Sequence, residues 1–154
     1  MQREHRRWLW WLAVALWIAV VLGFSSDRFS AESTSRFLAP LVRWIFPAIS
    51  AETQQLLQFL VRKGAHVFEY AVLAALAYQA LRQSSSPWRS AGLALALVAA
   101  VAATDETHQS FAVARTGSVI DVSLDVAGGA TALLLLVGIR RRHRVRRLQR
   151  EAAG

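Results

Sequence analysis

Arg62-Lys63-Gly64-Ala65-His66-Val67-Phe68-Glu69-Tyr70 opens an apolar run that continues from Ala71 to Leu81. Nothing in the run breaks a helix. The ionisable groups beside this expected span need a physical reason, because each is costly in hydrocarbon unless paired or hydrated. Helical spacing stacks Arg62, His66 and Glu69 on one face, with Lys63 and Tyr70 alongside. The rest of the chain reads as the source of partners for that face.

The chain has 154 residues, of which 55% are hydrophobic, and it has no cysteine. Its apolar runs are too long and too uniform for a soluble core of this size, and they indicate a small polytopic membrane protein in one domain, 1–154. Without cysteine there is neither a disulfide framework nor a thiolate metal site. The net charge of +8 would suit nucleic acid only if it were gathered on a recognition surface.

Arg3, Arg6 and Arg7 precede an uncharged run from Trp8 to Phe24. A basic flank and an apolar run also describe a signal peptide. This run is longer than a usual signal core, and Phe29-Ser30-Ala31 is a poor cleavage site, so an uncleaved span over 8–24 is expected. Ser30 is read as an N-cap. The segment from Phe37 to Ile49 holds Pro40, Arg43, Trp44 and Pro47, which suits the membrane interface better than a crossing. Ser50 is expected to cap the helix leading into the opening stretch, whose span is placed at 59–81.

The run from Ala91 to Thr104 is too short to cross a core needing about 20 residues. Extending it to 88–109 brings Asp105, Glu106 and His108 to the membrane edge. Residues 110–117 then form a turn containing Arg115, and Ser118 caps a fourth span over 119–139 that holds Asp121 and Asp125. The tail, 140–154, is strongly basic. Arg3, Arg6, Arg7, Arg82, Arg89 and the seven tail arginines fall on one side, twelve of the eighteen basic residues, which makes that side cytoplasmic. The expected fold is therefore an all-α, four-span membrane helix bundle with an interfacial segment and both termini inside. The opposite side holds eight of the ten acidic residues, so the +8 describes topology. The tail reads as an anchor on anionic lipid, with no nucleic-acid partner.

In this topology three elements bring charge to the outer half of the bilayer: Arg62, Lys63, His66 and Glu69; then Asp105, Glu106, His108 and Gln109; then Asp121 and Asp125. A charge facing lipid near mid-bilayer costs about 2.5–3.5 kcal/mol, so the groups are expected to face one another. Simpler roles exist for each. Asp121 lies three residues after Ser118, the spacing of a capping box. Asp125 is a turn deeper, beyond the reach of capping. Glu69 has the spacing to neutralise Arg62 or Lys63, and Asp105 reads equally as a surface residue. Gly128 and Gly129 suit close helix packing.

These residues resemble the VanZ-like family, named for a protein associated with teicoplanin resistance. The resemblance runs from the Phe24-Ser25-Ser26 loop to the last span. It is carried by Arg62-Lys63-x-x-His66-x-x-Glu69-Tyr70 with Leu73, by Glu106-x-x-Gln109, by Arg115 and Asp121, and by Asp125 with Gly128 and Gly129. Ala127 departs from it, since the family often has Asn before the glycine. The resemblance implies the four-span fold and a functional set comprising Arg62, Lys63, His66, Glu69, Tyr70, Glu106, Gln109, Arg115, Asp121 and Asp125. It implies no settled reaction.

Three functions are open to this set. The first is binding an anionic lipid-linked cell-wall precursor at the outer leaflet of the bacterial cytoplasmic membrane, with Arg62, Lys63 and Arg115 on its phosphate or carboxylate. The second is an intramembrane enzyme on an envelope lipid, with His66, Glu69, Glu106 and Asp125 as the candidate acid/base groups or with the carboxylates holding Mg²⁺ or Ca²⁺. The third is a proton-coupled transporter relaying through Glu69, Asp125 and His66. No cofactor is expected, and the carboxylates lack a diagnostic metal-ligand spacing. Membrane lipids are the expected partners, and a homo-oligomer is compatible with the transport reading.

Overall fold

Alanine, leucine and valine dominate the runs between the loops, and every described element is helical. The structure, a computed structural model, describes residues 2–24, 31–82, 86–110 and 118–152. Five helices follow in order: α1 (Gln2–Phe24), α2 (Ala31–Ile45), α3 (Ala51–Leu81), α4 (Pro87–Ser110) and α5 (Val119–Ala152), with no strand among the described residues.

Local chemistry sets the helix boundaries. The Ser50 hydroxyl accepts the Thr53 N–H at 3.2 Å, with Glu52 in the first turn, and so caps α3 as its sequence signals. Ser86 accepts from the Arg89 N–H at 3.4 Å one residue ahead of Pro87, which lacks the N–H that a first helical position leaves unbonded. Ser118 accepts from Ile120 N–H at 3.2 Å to start α5. Helix α2 ends at Ile45, two residues before Pro47. Ser30, the expected cap of α2, lies outside the described residues.

Helix α3 packs against each of the other four, and α4 and α5 also pack on one another. The core contains Tyr70, Leu73, Ala74, Ala77 and Tyr78 of α3, with Ala94, Val98 and Ala102 of α4 against them. Leu133 and Val137 of α5 and Val14 and Val21 of α1 complete it. The outer surface carries exposed Leu12, Leu16, Leu93, Leu134, Leu135 and Ile139, an apolar exterior suited to hydrocarbon.

Among the described residues three helices are long and apolar enough to cross a membrane: α1 over Arg6–Gly23, α4 over Pro87–Thr107, and α5. Helix α3 is not one of them. Its 31 residues are ample in length, about 46 Å at 1.5 Å per residue, but His66, Glu69, Tyr70 and Gln79 dilute its hydropathy. Those polar groups sit on the helix that all the others surround. Helix α2 has 15 residues, too few to cross, and leaves Trp44 81% exposed while tying itself to α3 through Arg43 Nε donating to Gln54 Oε1 at 2.9 Å. Helix α5 does not stop where its apolar stretch ends but continues through the arginine-rich segment to Ala152, with Arg147 paired to Glu151 at 2.9 Å.

Helix α5 comes close to α3 at Gly128 and to α4 at Gly129. A Cβ on Gly128 would meet Val67 Cγ1 at 2.8 Å and the Val67 carbonyl oxygen at 2.9 Å, and one on Gly129 would meet Val98 Cγ1 at 3.0 Å. A backbone oxygen cannot swing aside, so a side chain at 128 forces α5 away from α3. Gly128→Ala is therefore expected to lower the apparent melting temperature, with a loss of about 1–3 kcal/mol. Gly138→Ala, with nothing within 4 Å, should not lower it.

Candidate functional site

The ionisable residues of α3, α4 and α5 meet at one end of the bundle. The first half of α3 carries Arg62, Lys63, His66, Glu69 and Tyr70, α4 ends there with Asp105 and Glu106, and α5 begins there with Asp121 and Asp125. Lys63 Nζ forms an ion pair with Asp121 Oδ1, joining α3 to α5 with both side chains half-buried. The same ammonium lies 5.7 Å from the centre of the Phe59 ring. The Lys63 carboxylate partner is thus on another helix, and Glu69, a turn further along α3, faces His66 instead, with Nδ1 and Oε2 3.7 Å apart. That distance is beyond a hydrogen bond, and it makes an ion pair only when His66 is protonated.

Two acids are buried outright. Asp105 is 2% exposed and Asp125 is 7% exposed. The hydroxyl of Tyr70, itself fully buried, donates to Asp105 Oδ2 at 3.3 Å, which links α3 to α4. Asp125 lies within electrostatic reach of Asp105, Asp121, Glu106 and Lys63. The surface reading of Asp105 is therefore corrected. The signal was present in the sequence: Asp105 continues the buried stripe of Ala94, Val98, Val101 and Ala102 at helical spacing.

Asp121 has the spacing of a capping box, yet the Ser118 N–H is accepted by Glu106 Oε1 from the end of α4. Glu106 does for α5 what its own third residue would otherwise do, and Asp121 is left to pair with Lys63. A second contact unforeseen in the sequence is Trp17 Nε1 donating to the Glu69 carbonyl oxygen at 2.9 Å, which fixes α1 beside α3 at this level. Arg62 is half-buried and makes no ion pair among the described residues. Gln109 and His108 lie in the last turn of α4, but their side chains are outside the described set, as is the whole of Arg115.

Among the described residues no three His, Asp or Glu side chains come together as ligands for a metal ion. The cluster is chiefly carboxylate, with one internal ion pair, one imidazole and one uncommitted guanidinium. Such an arrangement can hold and pass protons, and it can take up a single anionic group at its cationic edge.

Apolar helices long enough to cross a membrane, around a central helix whose charged groups meet partners from its neighbours, define a multi-pass membrane protein. Residues 10–140 match the family model described as VanZ/LLP1, and the chain belongs to that family. The match includes every residue of the cluster. No curated protein and no solved structure matches the chain.

The Lys63–Asp121 pair can be isolated by a double-mutant cycle in thermal denaturation. Lys63→Met and Asp121→Asn should each destabilise the protein, and the double variant should lose less than the sum, with a coupling of about 1 kcal/mol. Additive losses would show that the two side chains do not stabilise one another.

Proposed function

We propose that this VanZ/LLP1 family member crosses the bacterial cytoplasmic membrane four times, with both termini inside, and binds an anionic lipid-linked cell-wall precursor at the outer leaflet. Arg62, with Arg115, holds the precursor's phosphate or carboxylate. Lys63, Glu69, Tyr70, Glu106, Gln109, Asp121 and Asp125 shape and neutralise the pocket around it, and His66 sits at its edge. Action on such a precursor gives a physical route to the family's association with teicoplanin resistance.

The fourth crossing is α3. Between Lys63 and Arg82 it is about 28 Å long, close to the ~30 Å thickness of a bilayer core. Its polar groups are tolerable there because neighbouring helices cover them. The orientation is supported by the separation of charge along the bundle. Arg82 lies within electrostatic reach of Arg140 and Arg6, so α1, α3 and α5 share a basic end, and the carboxylates lie at the other. The observation that carries the ligand reading is Arg62: a half-buried arginine, one helical turn before His66, that no ion pair takes up among the described residues. A bidentate donor in that state suits a phosphate or carboxylate arriving from outside.

A second reading is favoured by His66 and Glu69 facing one another beside the buried Asp105 and Asp125. It is acid/base chemistry on an envelope lipid, or proton-coupled transport through the same groups.

Thermal stability of the detergent-purified protein against a long-chain polyprenyl phosphate decides between them. A ligand that binds only the folded state adds about 2.7 kcal/mol at a hundredfold excess over its Kd. The phosphate should raise the melting temperature saturably and the parent polyprenol should not, and Arg62→Ala or Arg115→Ala should abolish the rise. No rise at saturating concentrations overturns the binding reading. Proton-coupled uptake into proteoliposomes that disappears in Asp125→Asn would then establish the transport reading.

A further inference from the structure

The end of the bundle remote from the carboxylates holds a second feature. Helices α3, α4 and α5 surround a cavity of about 510 Å³. Four arginines line it, Arg82, Arg140, Arg141 and Arg144, and no Asp or Glu does among the described residues. Tyr78, Trp88 and Val137 supply an apolar wall. Pro87, at the start of α4, lies on the same cavity, so the helix turns its positive end toward it.

The site is partly built in advance. Arg140 donates from Nη2 to Gln79 Oε1 at 2.9 Å, and its guanidinium lies 5.0 Å from the centre of the Tyr78 ring. Its neighbour Arg82 is pushed below the ordinary arginine range by burial first and by the Arg140 charge second, and Arg6 of α1 adds to the repulsion. Like charges held this close are unfavourable unless an anion joins them. Further along the helix Arg147 is paired with Glu151, which leaves that acid no nearer partner among the cavity arginines.

We propose that this cavity binds the phosphate headgroup of an anionic phospholipid. The four guanidinium groups take the phosphate oxygens, while Tyr78, Trp88 and Val137 lie against the glycerol and the first acyl carbons. The chemistry matches on both counts, since a phosphate alone would leave the apolar wall unused and an uncharged lipid would leave the arginines unneutralised.

The test is a thermal-shift titration of the detergent-purified full chain with dioleoyl phosphatidylglycerol. Dioleoyl phosphatidylcholine and sodium phosphate serve as separate arms. Phosphatidylglycerol should raise the apparent melting temperature saturably, and the other two should not. Replacing Arg82, Arg141 and Arg144 together by glutamine should weaken the apparent affinity by at least about tenfold. Replacing Arg146, Arg147 and Arg150 by glutamine removes the same charge outside the cavity and should leave the affinity nearly unchanged. Arg140 is kept because it also packs the fold. Should the first triple variant be unstable without lipid, Arg144→Glu at an exposed position provides the same reading. Equal losses in the two triple variants would reduce the effect to diffuse attraction and overturn the site. Absence of any response to phosphatidylglycerol overturns it as well. A sodium phosphate response matching the lipid's would assign the cavity to free phosphate and overturn the lipid.

Discussion

Lys63 and Asp121 bring opposite charges together from α3 and α5, and much of the bundle depends on that meeting. An unpaired charge against an apolar surface is costly, and each of these two is stabilised by the other where the helices meet. Once they meet, the first turn of α5 is registered against α3. Two turns deeper the contact tightens, with Gly128 so close to Val67 that no side chain fits between them. Glu106 adds the third member by accepting the Ser118 N–H that begins α5, so the end of α4 is held at the same level. An ion pair, a missing side chain and a borrowed cap therefore act on one geometry, the convergence of three helices.

The same reasoning explains why the central helix is not among those apolar enough by composition to cross a membrane. A helix facing lipid must carry its hydrophobicity on the outside, as α1 and α5 do with exposed Leu12, Leu16, Leu134 and Leu135. Helix α3 is covered by its neighbours and can keep Tyr70, His66 and Glu69, because other helices, not lipid, meet them. Average hydropathy records what a helix contains, not what it touches. It therefore passes over the helix that organises the rest.

Much of this was legible in the sequence. Ser50 and Ser118 signalled their caps, the two glycines signalled close packing, and the charged stretch at 62–70 identified the element around which the others gather. Partner choice was not legible. Spacing says which residues share a face of one helix, but Lys63 pairs with Asp121 far along the chain and not with Glu69, six residues away. Asp121 likewise looked sufficient as a capping residue until Glu106 was found in that place. Asp105 was hidden by position: at the end of an apolar run an acid reads as the beginning of a loop, and only its register with Val98 and Val101 marks it as interior. The helical continuation of the tail was masked by charge, since seven arginines suggest a solvated anchor whatever the backbone does.

Pairing inside one end of the bundle and its absence at the other follow from the same constraint with opposite results. At the acidic end, carboxylates outnumber cations, yet Asp121, Asp105 and Glu106 each find a donor in the protein: an ammonium, a phenol and a backbone N–H. That end is largely self-contained, and an external anion can be received only through a cation left uncommitted, which among the described residues is Arg62. At the basic end, Arg82, Arg140, Arg141 and Arg144 have no carboxylate among them within the described residues, and Arg140 donates to the neutral amide of Gln79, which orients the charge without cancelling it. Neutralisation from outside the chain suits that arrangement. For a bundle in a membrane the nearest abundant anions are the phosphates of the lipids around it.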